Sequence, residues 1–380
     1  MPAPVSRLFP AADRIVLGGV ALVVALLVAP PLVFLAGRSV TGPDGPTIAN
    51  FAAAYGGAGA FAVVSNSLQY ALGTAAFALC AGTALAWINE RTNAPFKTLV
   101  FAAALAPLAI PNMLLAIAWA LLASPRIGLI NAALGAMLGI EGAALDIYSI
   151  AGMVWVDGLH ETPFAFLMMT AAFRASDSAL EEAARASGAS TARVLGRITL
   201  RLVAPALAAL FALLVVRALE SFETPALLGM PAGLPVLTSA IYEALGRYPS
   251  DLGLASAHGT VLVAVALLGV FAQAPATRQP ARFATLTGRG GQRGLVDLGR
   301  WRAAACALCL AYVFVAIVLP VAVLVWASLQ PFYAVPSRAA LERASLAAYR
   351  AVVARQGLGG ALANSVFLAG ATATLVMALA

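Results

Sequence analysis

Apolar residues run along this chain in long continuous blocks, separated by short polar and mostly basic segments. A helix that crosses a bilayer needs about 20 such residues. Seven blocks qualify: Ile15–Gly37, Phe61–Trp87, Leu99–Ala123, Ile147–Phe173, Leu202–Leu219, Ala255–Ala274 and Ala303–Leu329. An eighth begins near Ala361 and is still apolar at Ala380. Apolar and polar positions do not alternate within the blocks, which argues against barrel strands. The pattern predicts an all-α polytopic membrane protein with seven complete transmembrane helices and part of an eighth.

Composition strengthens this reading. Hydrophobic residues make up 62% of the 380 and charged ones 10%, against roughly 25% charged in a soluble domain. A soluble enzyme, a secreted disulfide scaffold and a disordered chain are excluded, and three cysteines make no disulfide framework. A net charge of +7 could suggest nucleic acid, but a mean hydropathy of +0.92 assigns the basic groups to membrane topology instead. The first block follows Arg7 and Arg14 like a signal peptide. Its apolar region exceeds the 7–15 residues typical of a cleaved signal, so it reads as a retained anchor. With the N-terminus in the cytoplasm, the inner loops carry fifteen basic residues and the outer loops before the seventh block carry three. One segment dissents: Arg338, Arg343, Arg350 and Arg355 follow the seventh block, on the expected outer side.

An internal repeat is also visible. Pro31 precedes Ser39 as Pro320 precedes Ser328, and Asn66-Ser67 with Ala71, Thr74 and Ala75 recurs as Asn364-Ser365 with Ala369, Thr372 and Ala373. This implies a six-span module over residues 1–274, a basic cytoplasmic linker over 275–302, and the incomplete start of a second module over 303–380. On this count the 380 residues read as a fragment or a truncated product.

The segment from Asp177 to Leu207 lies in a loop expected in the cytoplasm. It reads as two short amphipathic helices. Asp177 is placed to cap the first, with Glu181 and Glu182 near its start. Gly188 permits the left-handed turn that ends it. Ser190 is placed to cap the second, which carries Arg193 and Arg197. Such a pair cannot span; it offers a charged ridge to a soluble partner. Glu182-Ala183-Ala184, Gly188 and Ile198-x-Leu200 stand at the spacing found in transmembrane subunits of bacterial ABC importers, and the chain resembles that family. It departs at Arg201, where the family usually has proline, while Pro205 fits. The resemblance implies a type I ABC importer permease fold. It also implies that this loop, with Glu181, Glu182, Ala183, Ala184, Gly188, Arg193, Arg197, Ile198 and Leu200, docks on a separate ATPase dimer on the cytoplasmic side. Glu182 would meet the ATPase surface and Gly188 would set the turn. The chain has no P-loop of its own, since its only lysine, Lys97, follows Phe96 with no glycine nearby. It is therefore read as no enzyme, binding no cofactor and leaving ATP to its partner.

Further stretches resemble the fused double permeases of the ferric-iron importer group: Pro107 and Pro111 around Leu-Ala-Ile, Glu220 to Gly229, Pro231, Pro235 to Thr238, and Ile241-Tyr242. This resemblance implies ferric iron as the solute, handed over by a periplasmic substrate-binding protein at the bacterial inner membrane. Thiamine, polyamine, sulfate and phosphonate carriers are related alternatives. A secondary transporter is the more distant rival, since inverted repeats and midplane ion sites would mark it. A membrane enzyme is another, and would need a catalytic cluster.

Candidate pathway residues are the ionisable ones inside the blocks. Asp157, His160 and Glu161 share one face of the fourth. They could line a pathway, hold a metal or pack structurally; no metal site is assigned. Arg217 and Glu220 form an i, i+3 pair near the outer end of the fifth, read as a gate charge or a snorkelling arginine. Cys306 and Cys309 have redox spacing but read as small-residue packing. His258 reads as interfacial.

Overall fold

The computed structural model describes residues 10–140, 142–176, 179–277 and 295–379. Helix α1 (Pro10–Ser39) carries the first apolar block through Pro30 and Pro31. A two-residue antiparallel ribbon follows, β1 (Thr41–Gly42) with β2 (Gly45–Pro46), pairing Thr41 with Pro46. The short helix α2 (Ala49–Tyr55) closes this loop, with Asn50 donating to the carbonyls of Ser39 and Thr41 at 3.1 and 3.2 Å.

The centre of the fold is α3 (Ala58–Arg91) against α7 (Ile150–Ala175). Small residues bring the two backbones close. Gly73 meets Val154, Gly158 meets Phe77, and Gly82 lies against Ala165 and the backbone of Phe166. Residue numbers rise together along both helices, so they run parallel. One crossing must therefore lie between them, and the third block makes it. It is not the continuous helix its composition predicts. Pro107 and Pro111 divide it into α4 (Lys97–Leu105), a 3-10 turn over Ala106–Ala109, and α5 (Asn112–Ala123), bent by 94°. Each proline lacks an N–H and restricts the residue before it, so a straight helix cannot pass through both. The outer helix α6 (Leu129–Leu138) follows.

Helix α7 keeps going through Pro163. Its own polar residues leave it outside the set of helices that are apolar enough to cross a membrane by composition. It lives among protein neighbours instead: Met153, Val156, Phe166, Met169 and Phe173 are fully buried.

The loop helices are α8 (Ala179–Ala186) and α9 (Thr191–Leu202), the latter with a π-helical turn at Leu195–Thr199. The fifth block, α10 (Ala204–Glu220), leaves α9 at 70°. A third bent pair follows that the apolar pattern did not predict. Pro225–Ala232 and α11 (Leu237–Gly246) meet at 79°, the form of a broken span or re-entrant loop. Proline and glycine at 225, 229, 231, 233 and 235 break the apolar run and hide it from a block count. Helix α12 (Leu252–Thr277) is the sixth block, and Leu35 of α1 packs on its Gly259. His258 on α12 is buried against protein: its Nδ1 lies 3.1 Å from the Tyr55 hydroxyl, with the two rings edge to face.

The seventh block, α13 (Gly299–Ser328), packs Ala316 and Val323 into the core formed by α5 and α7. Cys309 on this helix is buried, and Cys306 and Cys309 are both free thiols. Beyond it, Tyr333 donates to the Leu121 carbonyl at 2.6 Å, and partial burial pushes its phenol up to about 12. Two short helices, α14 (Arg338–Arg343) and α15 (Ala347–Val353), lead to α16 (Leu358–Leu379), the eighth apolar block. Among the described residues, five helices are long and apolar enough to cross a membrane, and up to eight if each bent pair counts as one.

Candidate functional site

Three layers of polar residues run down the α3–α7 axis. In the layer nearest the start of α7, Asp157 is 2% exposed and collects four side-chain donors. Tyr70 on α3 donates to Oδ2 at 2.7 Å. Asn112 donates to Oδ1 at 2.9 Å, and Ser221 and Thr224 to the same oxygen at 3.3 Å. Asn112 is the first residue of α5, just past the third-span break. Ser221 and Thr224 sit where α10 gives way to the 225–246 pair. One carboxylate thus gathers two breaks and the central helix. A buried charge needs such saturation, because an unpaired ion in a low dielectric is heavily penalised.

One turn further along α7, Glu161 binds Arg217 of α10 in a bidentate pair, with Nε and Nη2 at 2.7 and 2.9 Å. The guanidinium also stacks over Phe164 at 4.9 Å. This corrects the sequence expectation: the partner of Arg217 is Glu161, not Glu220. Glu220 is exposed at the end of α10. His160 is half-buried, and its Nδ1 has no hydrogen-bond partner. Asp157 and Glu161, on one face of α7, thus go to different neighbours, and both are buried and hydrogen-bonded. Among the described residues, no group of three His, Cys, Asp or Glu side chains could hold a metal ion.

The third layer lies at the opposite end of the helices. Glu90 takes Arg174 in a bidentate pair at 2.8 and 3.0 Å. A cavity of about 360 Å³ opens beside it, lined by Asn89, Lys97, Thr98, Phe101 and Leu295. Next to it Arg91, on the last turn of α3, donates to the carbonyl of Ser176 at 2.9 Å and to its hydroxyl. The same guanidinium lies 3.9 Å from Glu181 of α8, both side chains being almost wholly buried.

The loop helices take shape around these contacts. Gly188 has φ +84, and two bonds close the end of α8: Gly188 N–H to Arg185 and Ala189 N–H to Ala184, at 2.9 and 3.0 Å. This is the double closure of a Schellman motif, which glycine permits because it lacks a Cβ. Asp177, expected to cap α8, lies outside the described residues. Ser190 holds the cap position of α9 with extended backbone, but its hydroxyl makes no cap hydrogen bond among the described residues. The two adjacent glutamates diverge. Glu181 is 1% exposed and faces Arg91, while Glu182 and Ala183 are exposed and Ala184 is half-buried. Arg193 and Arg197 are exposed on α9, and Ile198 and Leu200 are half-buried under it.

Residues 78–276, which hold all of these loop and helix positions from Glu90 to Glu220, match the family described as binding-protein-dependent transport system inner membrane component. The chain belongs to this family. A protein of Streptomyces antibioticus described as ABC transporter permease ORF1 is 31% identical over 222 residues, covering 58% of this chain and 89% of the relative. Two solved structures share the fold at 21% identity. One is a bacterial ABC transporter involved in import of the acidic polysaccharide alginate, with TM-score 0.58 over 72% of this chain and 99% of that one. The other is a bacterial alginate ABC transporter in complex with an alginate pentasaccharide-bound periplasmic protein, with TM-score 0.56 over 73% and 99%. The chain is a multi-pass membrane permease with the type I permease fold.

Several residues of this permease escaped the sequence reading: Tyr70, Asn112, Ser221 and Thr224 around Asp157, and Glu90, Arg91 and Ser176 beneath the loop. Each meets its partner across 45 or more residues of chain. The one available signal was that Glu90 and Arg91 end an otherwise apolar helix.

Proposed function

We propose that this permease is the translocation subunit of a bacterial ABC importer in the inner membrane, with its N-terminus in the cytoplasm. A periplasmic substrate-binding protein delivers the solute, and a separate ATPase dimer docks on the loop formed by α8 and α9. The observation that carries this reading is the exposed ridge of Glu182, Arg193 and Arg197 on two helices joined at Gly188. The ridge is backed by a buried glutamate that holds it to the body. A solvated loop of no function has no need of that anchor, since burying an ion pair brings little net stability.

Access then alternates as the ATPase dimer closes and pulls the loop. The bends at the third span and after the fifth are the places where such a pull can change geometry. Asp157 ties both of them to the same rigid helix.

The solute proposed is ferric iron, on the strength of the resemblance of Glu220–Gly229 and its neighbours to the ferric-iron group. The chain is organised as a first permease module over 1–274, a linker over 275–302 and the start of a duplicate over 303–380. The recurrence of Asn66-Ser67 as Asn364-Ser365, each pair within an apolar helix, supports the duplication. The deciding experiment reconstitutes the transporter in proteoliposomes with its ATPase and binding protein. ATP-dependent uptake of labelled ferric iron is the expected result. ATP-dependent uptake of another solute that the binding protein carries, without iron, replaces the substrate and keeps the class.

A further inference from the structure

The coupling-loop anchor has a second attachment on its other side. Residues 295–298 run beside the end of α3 as a strap. Val296 forms a parallel bridge with Thr92. Its N–H donates to the Arg91 carbonyl at 2.8 Å, and its carbonyl accepts from Asn93 N–H at 3.0 Å. Side chains lock the same place: Asn93 donates to Asp297 at 2.6 Å and accepts from Leu298 N–H at 3.1 Å. Val296 and Thr92 are both buried. The strap ends at Gly299, where α13 begins.

Arg91 therefore has two attachments. Its guanidinium holds Ser176 and Glu181, the two ends of the entry into α8. Its carbonyl holds the strap that leads into the seventh span. We propose that Arg91 is a positioning residue that ties the coupling loop to the base of α13, so that a displacement of the loop is passed directly to the helix that starts the second module. This rests on the coupling role of the loop stated above. An arginine that merely satisfied the end of α3 would need no buried acid on a separate helix. Arginine suits the task because its rigid fork can serve several acceptors at once. The partners lie in series along one short path from α8 to the start of α13.

The test uses the complete transporter with its ATPase and binding protein in proteoliposomes. The native cysteines are replaced by alanine, and spin labels are placed at Gly196→Cys and Ala303→Cys, both exposed positions. In the parent the distance between the labels holds one narrow distribution with and without trapped ATP. Arg91→Gln is expected to broaden it and to lower solute moved per ATP at least fivefold, while the ATPase still co-purifies. Arg91→Lys recovers part of the loss. A parent-like distance distribution and transport ratio in Arg91→Gln overturns the proposal. If Arg91→Gln fails to insert, Asp297→Ala decides, since it removes only strap bonds at an exposed residue. Broadened distances support the tie and unchanged ones overturn it. Glu182→Lys separates the two readings. Loss of uptake there with normal Arg91→Gln sinks the Arg91 role alone. Normal uptake in Glu182→Lys sinks the coupling reading, and the label distances still decide the tie.

Discussion

Arg217 holds Glu161 with two parallel hydrogen bonds, Nε to Oε2 at 2.7 Å and Nη2 to Oε1 at 2.9 Å, joining the fifth span to the fourth. The glutamate is buried, while the arginine side chain is 44% exposed. Removing one member of a buried pair costs about 3–5 kcal/mol; screening on the exposed arginine side reduces this to about 1–3 kcal/mol. Arg217→Met is expected to lower thermal stability in detergent by that amount. The double variant Arg217→Met with Glu161→Gln recovers more than half of it, and Glu220→Gln changes nothing. Equal stability of the single variant and the parent refutes the pairing.

Asp157 is the acceptor for four donors, so Asp157→Asn replaces one of its two acceptor oxygens with a donor, and the four partners must reorient or share the single oxygen that is left. Each buried donor left without a partner costs about 1–3 kcal/mol. Hydrogen exchange should quicken at residues 110–114 and 221–226, on two segments far apart in sequence, before it quickens elsewhere. Exchange confined to α7 itself would show that the carboxylate does not tie the breaks together.

The neighbouring glutamates of α8 should respond in opposite ways. Glu182→Lys keeps insertion and thermal stability but abolishes ATP-dependent uptake. Glu181→Ala leaves Arg91 without its acid and loosens the loop, read as faster proteolysis between residues 179 and 202. Matching phenotypes in the two variants would contradict the divergence of their side chains.

The strap adds a pH dependence. Asp297 accepts from the Gly299 backbone N–H and the Asn93 side chain, which hold its carboxyl below the usual 3.8. A depressed acid contributes its stabilisation above the ordinary aspartate range and loses it as pH falls through the lowered value. Protection of the Val296 and Leu298 amides, taken relative to their intrinsic exchange at each pH, should therefore stay constant from pH 7 to about 5 and fall only in stronger acid. Asp297→Asn should show the lower, acid level of protection throughout.

Close packing between α3 and α7 is the last point of test. A Cβ at Gly82 would lie 2.6 Å from that of Ala165 and 2.7 Å from the Phe166 nitrogen, whereas one at Gly18 would meet nothing within 4 Å. Gly82→Ala should cost about 1–3 kcal/mol through overpacking, measured by thermal unfolding. Gly18→Ala should be neutral.

Much of this was legible from the chain itself. Continuous apolar runs placed α1, α3, α10, α12, α13 and α16, because lipid demands apolar surface all round. The spacing from Glu182 to Leu200 marked the loop, and Gly188 adopts the left-handed turn expected of it. Where protein rather than lipid is the neighbour, the same logic weakens. Helix α7 can carry Asp157, His160 and Glu161 because its partners satisfy two of them, and composition cannot see partners. Residues 225–246 were missed because proline and glycine interrupt their apolar run. Arg217 was paired with Glu220 because proximity in sequence was the only proximity visible. The motif spacing singled out Glu182, but nothing in the chain showed that Glu181 is buried; that follows from where α8 meets Arg91.

The interlocked glycines set a limit on how this permease can move. Sliding α3 by one turn along α7, about 5.4 Å, would take Gly73, Gly82 and Gly158 out of register with the side chains they now admit. The collision would come at three levels at once. A ratchet between the two central helices is closed off, and they must travel as a keyed shaft. Conformational travel is left to the jointed pieces hung around that shaft, so locking one joint, at Pro111 or at Pro225, should stall the cycle without loosening the shaft.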